Sequence, residues 1–458
     1  MLILASLLFA AAANAVPFTL ERLELDLAVD YEHERIDGTA RLTVRNTSTE
    51  SARIVPLLLG RLMKVRSAGG LQFEQNIVTF EDESIRQVDA VTVHLAQPLA
   101  PGASTTVAID YGGHIVGYTE TGELYVQDRV SEAFTMIRED ALAFPVLGAP
   151  SRAANRTILR NGFSFDARIT VPKGFVVAAG SLVDTHDDNG RTTFHFASSE
   201  PAPFLNLSIA KFGILDENGV RVYYLPADEA GAKLILQRTR ATLDLFTKWF
   251  GPLGKPPRLA VIEIPENWGS QAGLIPGIIL TADSFRDPKY LFELYHELGH
   301  LWNPPDLDKP SARLNEGLSE WLQWVVAAQL DNVPPDRVAK MQARIIDRVT
   351  HEPRLASIPL ASFGASDMTD WSYRVGHLYF SLLERVIGRD ALLGIVRDYY
   401  QANREKGATL KDFTALVEKR CPQASTISAD WIYSTRWLEK LRTAGSLEAL
   451  AAQYLATS

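Results

Sequence analysis

Residues 295–300 read Tyr-His-Glu-Leu-Gly-His. In an α-helix, positions four apart share one face, so the imidazoles of His296 and His300 can converge on a single ion. Glu297, between them, is poorly placed to bind that ion but can reach a water beside it. Leu291, Leu294, Tyr295, Leu298 and Leu301 fall at helical spacing and predict the helix independently of the histidines. A catalytic zinc takes three protein ligands and keeps a fourth position open. Asn315-Glu316-Gly317 follows, and Leu318, Trp321, Leu322 and Val325 continue it at helical spacing. Glu316 is thereby expected in the first turn of a second helix, as the third ligand. Glu320 lies one turn further on the same face, suited to accept the remaining N–H of a liganding histidine, with Asn315 as a further support beside the ligand. The chemistry implied is hydrolysis with one Zn2+ per chain. Glu297 acts as the general base and returns the proton to the leaving amine. The competing reading is two histidines that happen to lie four apart, followed by a solvated acidic helix face.

These residues need elements to hold them. From Val16 to Leu215 the hydropathy alternates with period two: Leu23, Leu25, Leu27 and Val29, then Leu42 and Val44, then Val91, Val93 and Leu95. Turn signals such as Pro101-Gly102, Gly112-Gly113 and Asp187-Asp188-Asn189-Gly190 separate the runs. The pattern predicts an N-terminal antiparallel all-β domain over residues 16–215. After Gly219 the period changes. Ala230 to Phe250 reads as an amphipathic helix stopped by Gly251-Pro252, Leu259 to Ile264 and Gly277 to Thr281 read as strands, and from Asp287 onward the chain reads as helical. A second domain, 216–458, is therefore expected to be mainly helical and to carry the chemistry, giving an α+β multidomain protein.

The totals set the remaining bounds. At 458 residues the chain allows two or three domains of roughly 150 residues each. A formal charge of -9 argues against nucleic acid as the main partner. Leu2 to Ala13 is apolar and Ala13-Asn14-Ala15 is a small-x-small cleavage site, so residues 1–15 are expected to be a signal peptide and the protein exported, periplasmic or secreted. No later stretch has the roughly 18 apolar residues of a membrane span, so none is expected after cleavage. Cys421 is the single cysteine, too few for an internal disulfide, so stability must come from the cores.

With these landmarks in place, the sequence resembles the aminopeptidase-N-like branch of the gluzincin zinc metallopeptidases over roughly residues 18–440. Ile169 to Gly180 and Pro203 to Leu215 resemble that family's closing β-domain strands, and Val220 to Pro226 and the helix before Phe250-Gly251-Pro252 its entry to the catalytic domain. The His-Glu-Leu-Gly-His and Asn-Glu-Gly motifs follow in family order, and then Tyr373-Arg374-Val375-Gly376. The resemblance implies a thermolysin-like catalytic domain, peptide or protein substrates, and Tyr373 as the donor to the oxyanion. It also implies an edge strand, Leu259 to Ile264, pairing with substrate backbone.

Three departures bear on function. The connection Leu301 to Asn315 is shorter than the family's and contains Pro304-Pro305 and Pro310. The family's amine-gripping glutamate corresponds to Glu266 if Glu-Asn-Trp-Gly is matched, and to Leu274 if the later Pro-Gly is matched. Glu266, Gly269, Gln271, Ala272 and Gly273 are the candidate substrate contacts. About 140 residues follow Glu316, so the family's large C-terminal helical domain is expected to be lacking and the cleft to be more open. Aminopeptidase and endopeptidase activity both fit. The reading from a different class is a catalytically silent peptide-binding or scaffold protein that retains the fold. Loss of the base or of a ligand would favour it, and all four residues are present.

Overall fold

The computed structural model describes residues 16–80, 83–117, 127–151, 154–155, 158, 162–202, 204–253, 259–273, 277–333, 337–366 and 368–456. The expected signal peptide, 1–15, lies outside the described residues. Two compact units are formed, Met1–Lys233 with Pro257–Arg286, and Leu234–Pro256 with Asp287–Ser458.

The first unit is built on alternation. Along Phe18–Asp30, Leu23, Leu25, Leu27 and Val29 are buried while their neighbours face outward, as the period-two reading requires. A seven-stranded sheet runs in the order Leu182–Asp188, Arg191–Ala202, Phe163–Pro172, Phe18–Asp30, Arg35–Asn46, Ser104–Gly113, Met63–Ser67. A four-stranded sheet contains Gln72–Phe80, Glu83–Leu99, Ala52–Gly60 and Val146–Leu147. Leu25, Leu42, Val107 and Ile169 from the first sheet and Leu57, Val91 and Val93 from the second lie in one hydrophobic core. Each such side chain contributes about 1.5–3 kcal/mol on burial. The antiparallel expectation needs one correction: Phe18–Asp30 pairs in parallel with Phe163–Pro172, Leu25 opposite Ala167. Local alternation specifies which face of a strand is buried but carries no information on the direction of a partner so distant in sequence.

The same unit holds a mixed five-stranded sheet, ordered Gly213–Glu217, Val220–Tyr224, Leu259–Ile264, Gly277–Thr281, Gln271–Gly273. The expectation that Leu259–Ile264 is an edge strand is overturned. It is central, paired in parallel on one side with Val220–Tyr224 and on the other with Gly277–Thr281, and all six residues are buried. A near-continuous apolar run without alternation, interrupted here only by Glu263, is the signature of a strand covered on both faces. The strand at that edge is Gln271–Gly273, antiparallel to Gly277–Thr281.

Helices follow: α1 (Glu229–Phe250), α2 (Ala282–Arg286), α3 (Leu291–His300), α4 (Leu314–Leu330), α5 (Arg337–His351) and α6 (Asp370–Ile387), with further helices from Arg389–Asn403 to Leu447–Leu455. Gly251, at φ 87°, ends α1 in the left-handed conformation that favours glycine. In the second unit Leu294 and Leu298 of α3, Leu322 and Val326 of α4, and Val375, Leu378 and Tyr379 of α6 are buried. No helix among the described residues is long and apolar enough to cross a membrane.

Candidate metal centre

The apolar stripe of α3 fixes which way its histidines face. Leu291, Leu294, Tyr295 and Leu298 are buried, and the Tyr295 hydroxyl donates to Asp331 Oδ2 at 2.6 Å. Asp331 is the C-terminal cap of α4 and also pairs with Arg238 at 2.8 Å. This ties α3 to the far end of α4. The near end is set by glycine. A Cβ on Gly317 would lie 2.5 Å from Gly376 Cα, so α4 and α6 approach closely where the Asn-Glu-Gly and Tyr-x-x-Gly motifs cross. The two motif glycines thus have one packing reason, and the crossing sets Glu316 and Tyr373 next to α3.

His296, His300 and Glu316 converge. His296 Nε2 and His300 Nε2 are 3.1 Å apart, and Glu316 Oε2 lies 3.4 Å from the first and 3.2 Å from the second. A tetrahedral ion bonded at about 2.0–2.1 Å sets its ligand atoms about 3.3–3.4 Å apart, so the three edges suit zinc. Oε2 is also buried without a hydrogen-bond partner among the described residues. A cluster of buried acceptors facing one another is costly unless a cation fills it. Burial alone would raise the Glu316 carboxyl, but the imidazoles of His300 and His296 and the Arg313 guanidinium hold it well below the usual carboxylate range.

The flanking residues orient this group. Glu320 Oε1 is 3.6 Å from His296 Nδ1, and Gln323 donates to Glu320 Oε2 at 2.7 Å. On the other imidazole, His300 Nδ1 faces Asn303 Nδ2 at 3.0 Å and Ser319 Oγ at 3.2 Å. When Nε2 binds a metal, Nδ1 carries the proton, and Ser319 Oγ is placed to accept it. Asn303 and Ser319 escaped the sequence reading, although each stands three positions from a ligand, Asn303 in the turn after α3 and Ser319 on α4 on the same side as Glu316. Asn315 is half-buried and lines a cavity with Asn303, Arg313, Leu318, Phe380 and Phe413.

Glu297 is buried on α3. The Tyr373 ring stacks on His296, centroids 5.9 Å apart and nearly parallel. Burial, with the Glu316 and Glu297 carboxylates nearby, pushes the Tyr373 phenol well above its ordinary range, so it keeps its proton at neutral pH. Base and phenol therefore sit within electrostatic reach of one another and of the ligands. Arg313, also missed from sequence, donates to Glu316 Oε1 and, at 3.3 Å, to the Tyr373 hydroxyl.

The candidate substrate contacts lie in the first unit. Glu266 is 48% exposed and ion-paired with Arg286, which also pairs with Asp228 at 3.1 Å. Gly269 is at φ 74° in a turn that buries Trp268 on Phe134, ring centroids 5.2 Å apart. Gln271 Oε1 accepts from Asn206 at 2.8 Å, and Ala272 and Gly273 pair with Ile278 and Gly277.

No family model matches this sequence, and no curated protein does. The fold nevertheless defines a class: the chain has the two-domain fold of the M1 zinc metallopeptidases. A variant of the M1 zinc metallopeptidase of Deinococcus radiodurans is 19% identical, with a TM-score of 0.66 over 91% of this chain and 94% of that one. The metallopeptidase from the same organism without that substitution gives 18% and 0.64 over 91% and 93%. The variant bound to a Tyr-Ser-Ala substrate gives 18% and 0.64 over 92% and 95%.

Proposed function

We infer that this protein is a zinc-dependent peptide-bond hydrolase. The observation that carries the reading is the triangle of His296 Nε2, His300 Nε2 and Glu316 Oε2, with edges of 3.1, 3.4 and 3.2 Å. A zinc ion held there supplies Lewis-acid activation of a water molecule and of the scissile carbonyl. Glu297 takes the proton from the attacking water and delivers it to the leaving amine. Tyr373, protonated at neutral pH, donates to the oxyanion that develops as the carbonyl becomes tetrahedral. Ser319 and Glu320 hold the two imidazoles in the required tautomers. The Deinococcus radiodurans structure with Tyr-Ser-Ala as substrate supports short peptides as the substrate class. The segment 1–15 supports an exported, periplasmic or secreted protein.

Both an aminopeptidase and an endopeptidase use this chemistry. The test is to measure zinc per chain and then incubate the protein with matched free and N-acetylated peptides, identifying products by mass, with Glu297→Gln as the control. Hydrolysis confined to free N-termini makes it an aminopeptidase, and internal cuts in blocked peptides make it an endopeptidase. One zinc per chain with no cleavage of any peptide would sink the enzymatic reading in favour of a peptide-binding scaffold.

A further inference from the structure

Arg313 stands just outside the residues with an assigned task, and its setting is unusual in three respects. It is the N-cap of α4 yet has the left-handed backbone, φ 53° and ψ 41°, that a residue with a side chain seldom adopts. That geometry is held from outside: its backbone N–H donates to Ser311 Oγ at 2.9 Å, and Ser311 in turn donates to Asp306. Strained backbone maintained by its surroundings is a mark of functional positions. The guanidinium, 42% exposed at the side chain, is also directed at the metal centre. One nitrogen, Nη2, donates both to Glu316 Oε1 and to the Tyr373 hydroxyl at 3.3 Å, and the guanidinium carbon lies 5.7 Å from the centroid of the Tyr373 ring.

We propose that Arg313 is a positioning residue for the metal centre, fixing Glu316 as a one-oxygen ligand and Tyr373 as a hydrogen-bond donor. The proposal rests on the zinc-hydrolase reading. The division of labour follows from the two carboxylate oxygens: Oε2 faces the imidazoles, and Oε1 is occupied by Arg313. A carboxylate so held binds an ion through one oxygen, which preserves an open position for water and carbonyl. At Tyr373 the guanidinium has only donors, so it takes a lone pair of the phenol oxygen. The phenol proton is then directed away from Arg313. Both contacts come from the one nitrogen Nη2, so a lysine ammonium keeps the charge and the donors; what it lacks is the flat guanidinium set against the Tyr373 ring.

The test compares wild type, R313A, R313K, Y373F and R313A/Y373F. R313A is expected to lower kcat about 10–100-fold and metal affinity about tenfold, as loss of outer supports of metal ligands does, with KM nearly unchanged. Metal affinity is read by chelator competition and the coordination by the visible spectrum of the Co2+-substituted protein, which should shift in R313A. R313K should recover metal affinity but not kcat, and its melting curve guards against a folding defect. The double variant should lose less than the product of the single losses, because residues acting as a unit are not additive. A rise in KM alone in R313A would overturn the proposal and make Arg313 a substrate anchor. Independent, multiplicative losses would also overturn it. If zinc-loaded wild type cleaves no peptide, the hydrolase reading fails instead; chelator competition and the Co2+ spectrum still report on Arg313, and no change in either for R313A overturns the positioning role.

Discussion

Glu316, on α4, and Glu263, on the strand Leu259–Ile264, are both buried glutamates in this chain, yet their surroundings drive them to opposite charge states. Glu316 meets two imidazoles and a guanidinium, which hold it charged against the penalty of burial. Glu263 receives one hydrogen bond, from the Leu225 N–H to Oε2 at 2.7 Å, and its Oε1 has no partner among the described residues. Burial, with Asp228 nearby, pushes its carboxyl up to about 8, so it is neutral over most of the physiological range. The difference is one of partners, not of depth. A buried carboxylate facing imidazoles and a guanidinium stays ionised, as a metal ligand must be, whereas one supplied with a single donor keeps its proton.

The largest expected effect tests the charged side of this contrast. Glu297→Gln keeps the size of the side chain and removes its capacity to take a proton. It is expected to lower kcat by about 10²–10⁴-fold, the usual contribution of general acid–base catalysis, while zinc stays at one per chain. Stripping the metal with a chelator should abolish hydrolysis of the same peptides, and added zinc should restore it. Zinc bound equally well by Glu316→Ala would break the assignment of Glu316 as a ligand.

The neutral side gives a pH dependence. A carboxyl whose folded value, about 8, exceeds its ordinary value of 4.5 binds more protons in the folded state than in the unfolded state between those limits. Its contribution to stability is therefore complete below about pH 4.5, declines as the pH rises toward 8, and is gone above it. Glu263→Gln removes this decline. The variant is expected to gain on the order of 5 kcal/mol over wild type above about pH 8, with little difference at acidic pH. Urea unfolding at several pH values measures it. A constant gap between the two proteins across that range would mean that Glu263 does not titrate in the way its burial implies.

Packing gives the next effect. Gly317→Ala would place a methyl carbon 2.5 Å from the Gly376 backbone, and neither helix has a flexible side chain there to move aside. A loss of about 1–3 kcal/mol is expected from such overpacking, seen in thermal melting together with weaker zinc binding as Glu316 shifts. An unchanged melt would show that α4 and α6 have room to separate.

What the sequence discloses divides along similar lines. His296, Glu297 and His300 were legible because four-residue spacing on a helix is a geometric statement, and the leucine stripe predicted the helix without them. Glu316 was legible because an apolar pattern fixed its helix. Tyr373 came from resemblance, since its place depends on the Gly317–Gly376 crossing, which joins helices far apart in the chain. Arg313 was hidden because a left-handed residue ahead of a helix points its side chain where helical periodicity says nothing. The strand Leu259–Ile264 is central, not at an edge; its apolar run, broken only by Glu263, argues for the centre. The parallel pairing of Phe18–Asp30 with Phe163–Pro172 was not accessible to local patterns at all.

Glu266, three residues after Glu263, completes the series and tests the substrate side. Under one of its two matchings, the family resemblance offers it as the grip for a free amino terminus, a role that needs an available negative charge. The structure gives that charge a partner, Arg286, itself shared with Asp228, and the pair is about half exposed. Glu266→Gln is therefore expected to change stability by less than about 1 kcal/mol, as for other solvent-screened pairs. Its kcat/KM on peptides with free amino termini should stay within about twofold of wild type, the range of substitutions that touch no essential group. A hydrogen-bonded charge lost from an amine site would instead cost about 1.5–3 kcal/mol, or about 10–150-fold. A loss of that size on free peptides, absent on their N-acetylated counterparts, would establish Glu266 as the amine anchor and require Arg286 to release it when substrate binds. In that case Arg286→Ala should strengthen binding of free-amine peptides, since it removes the competing cation.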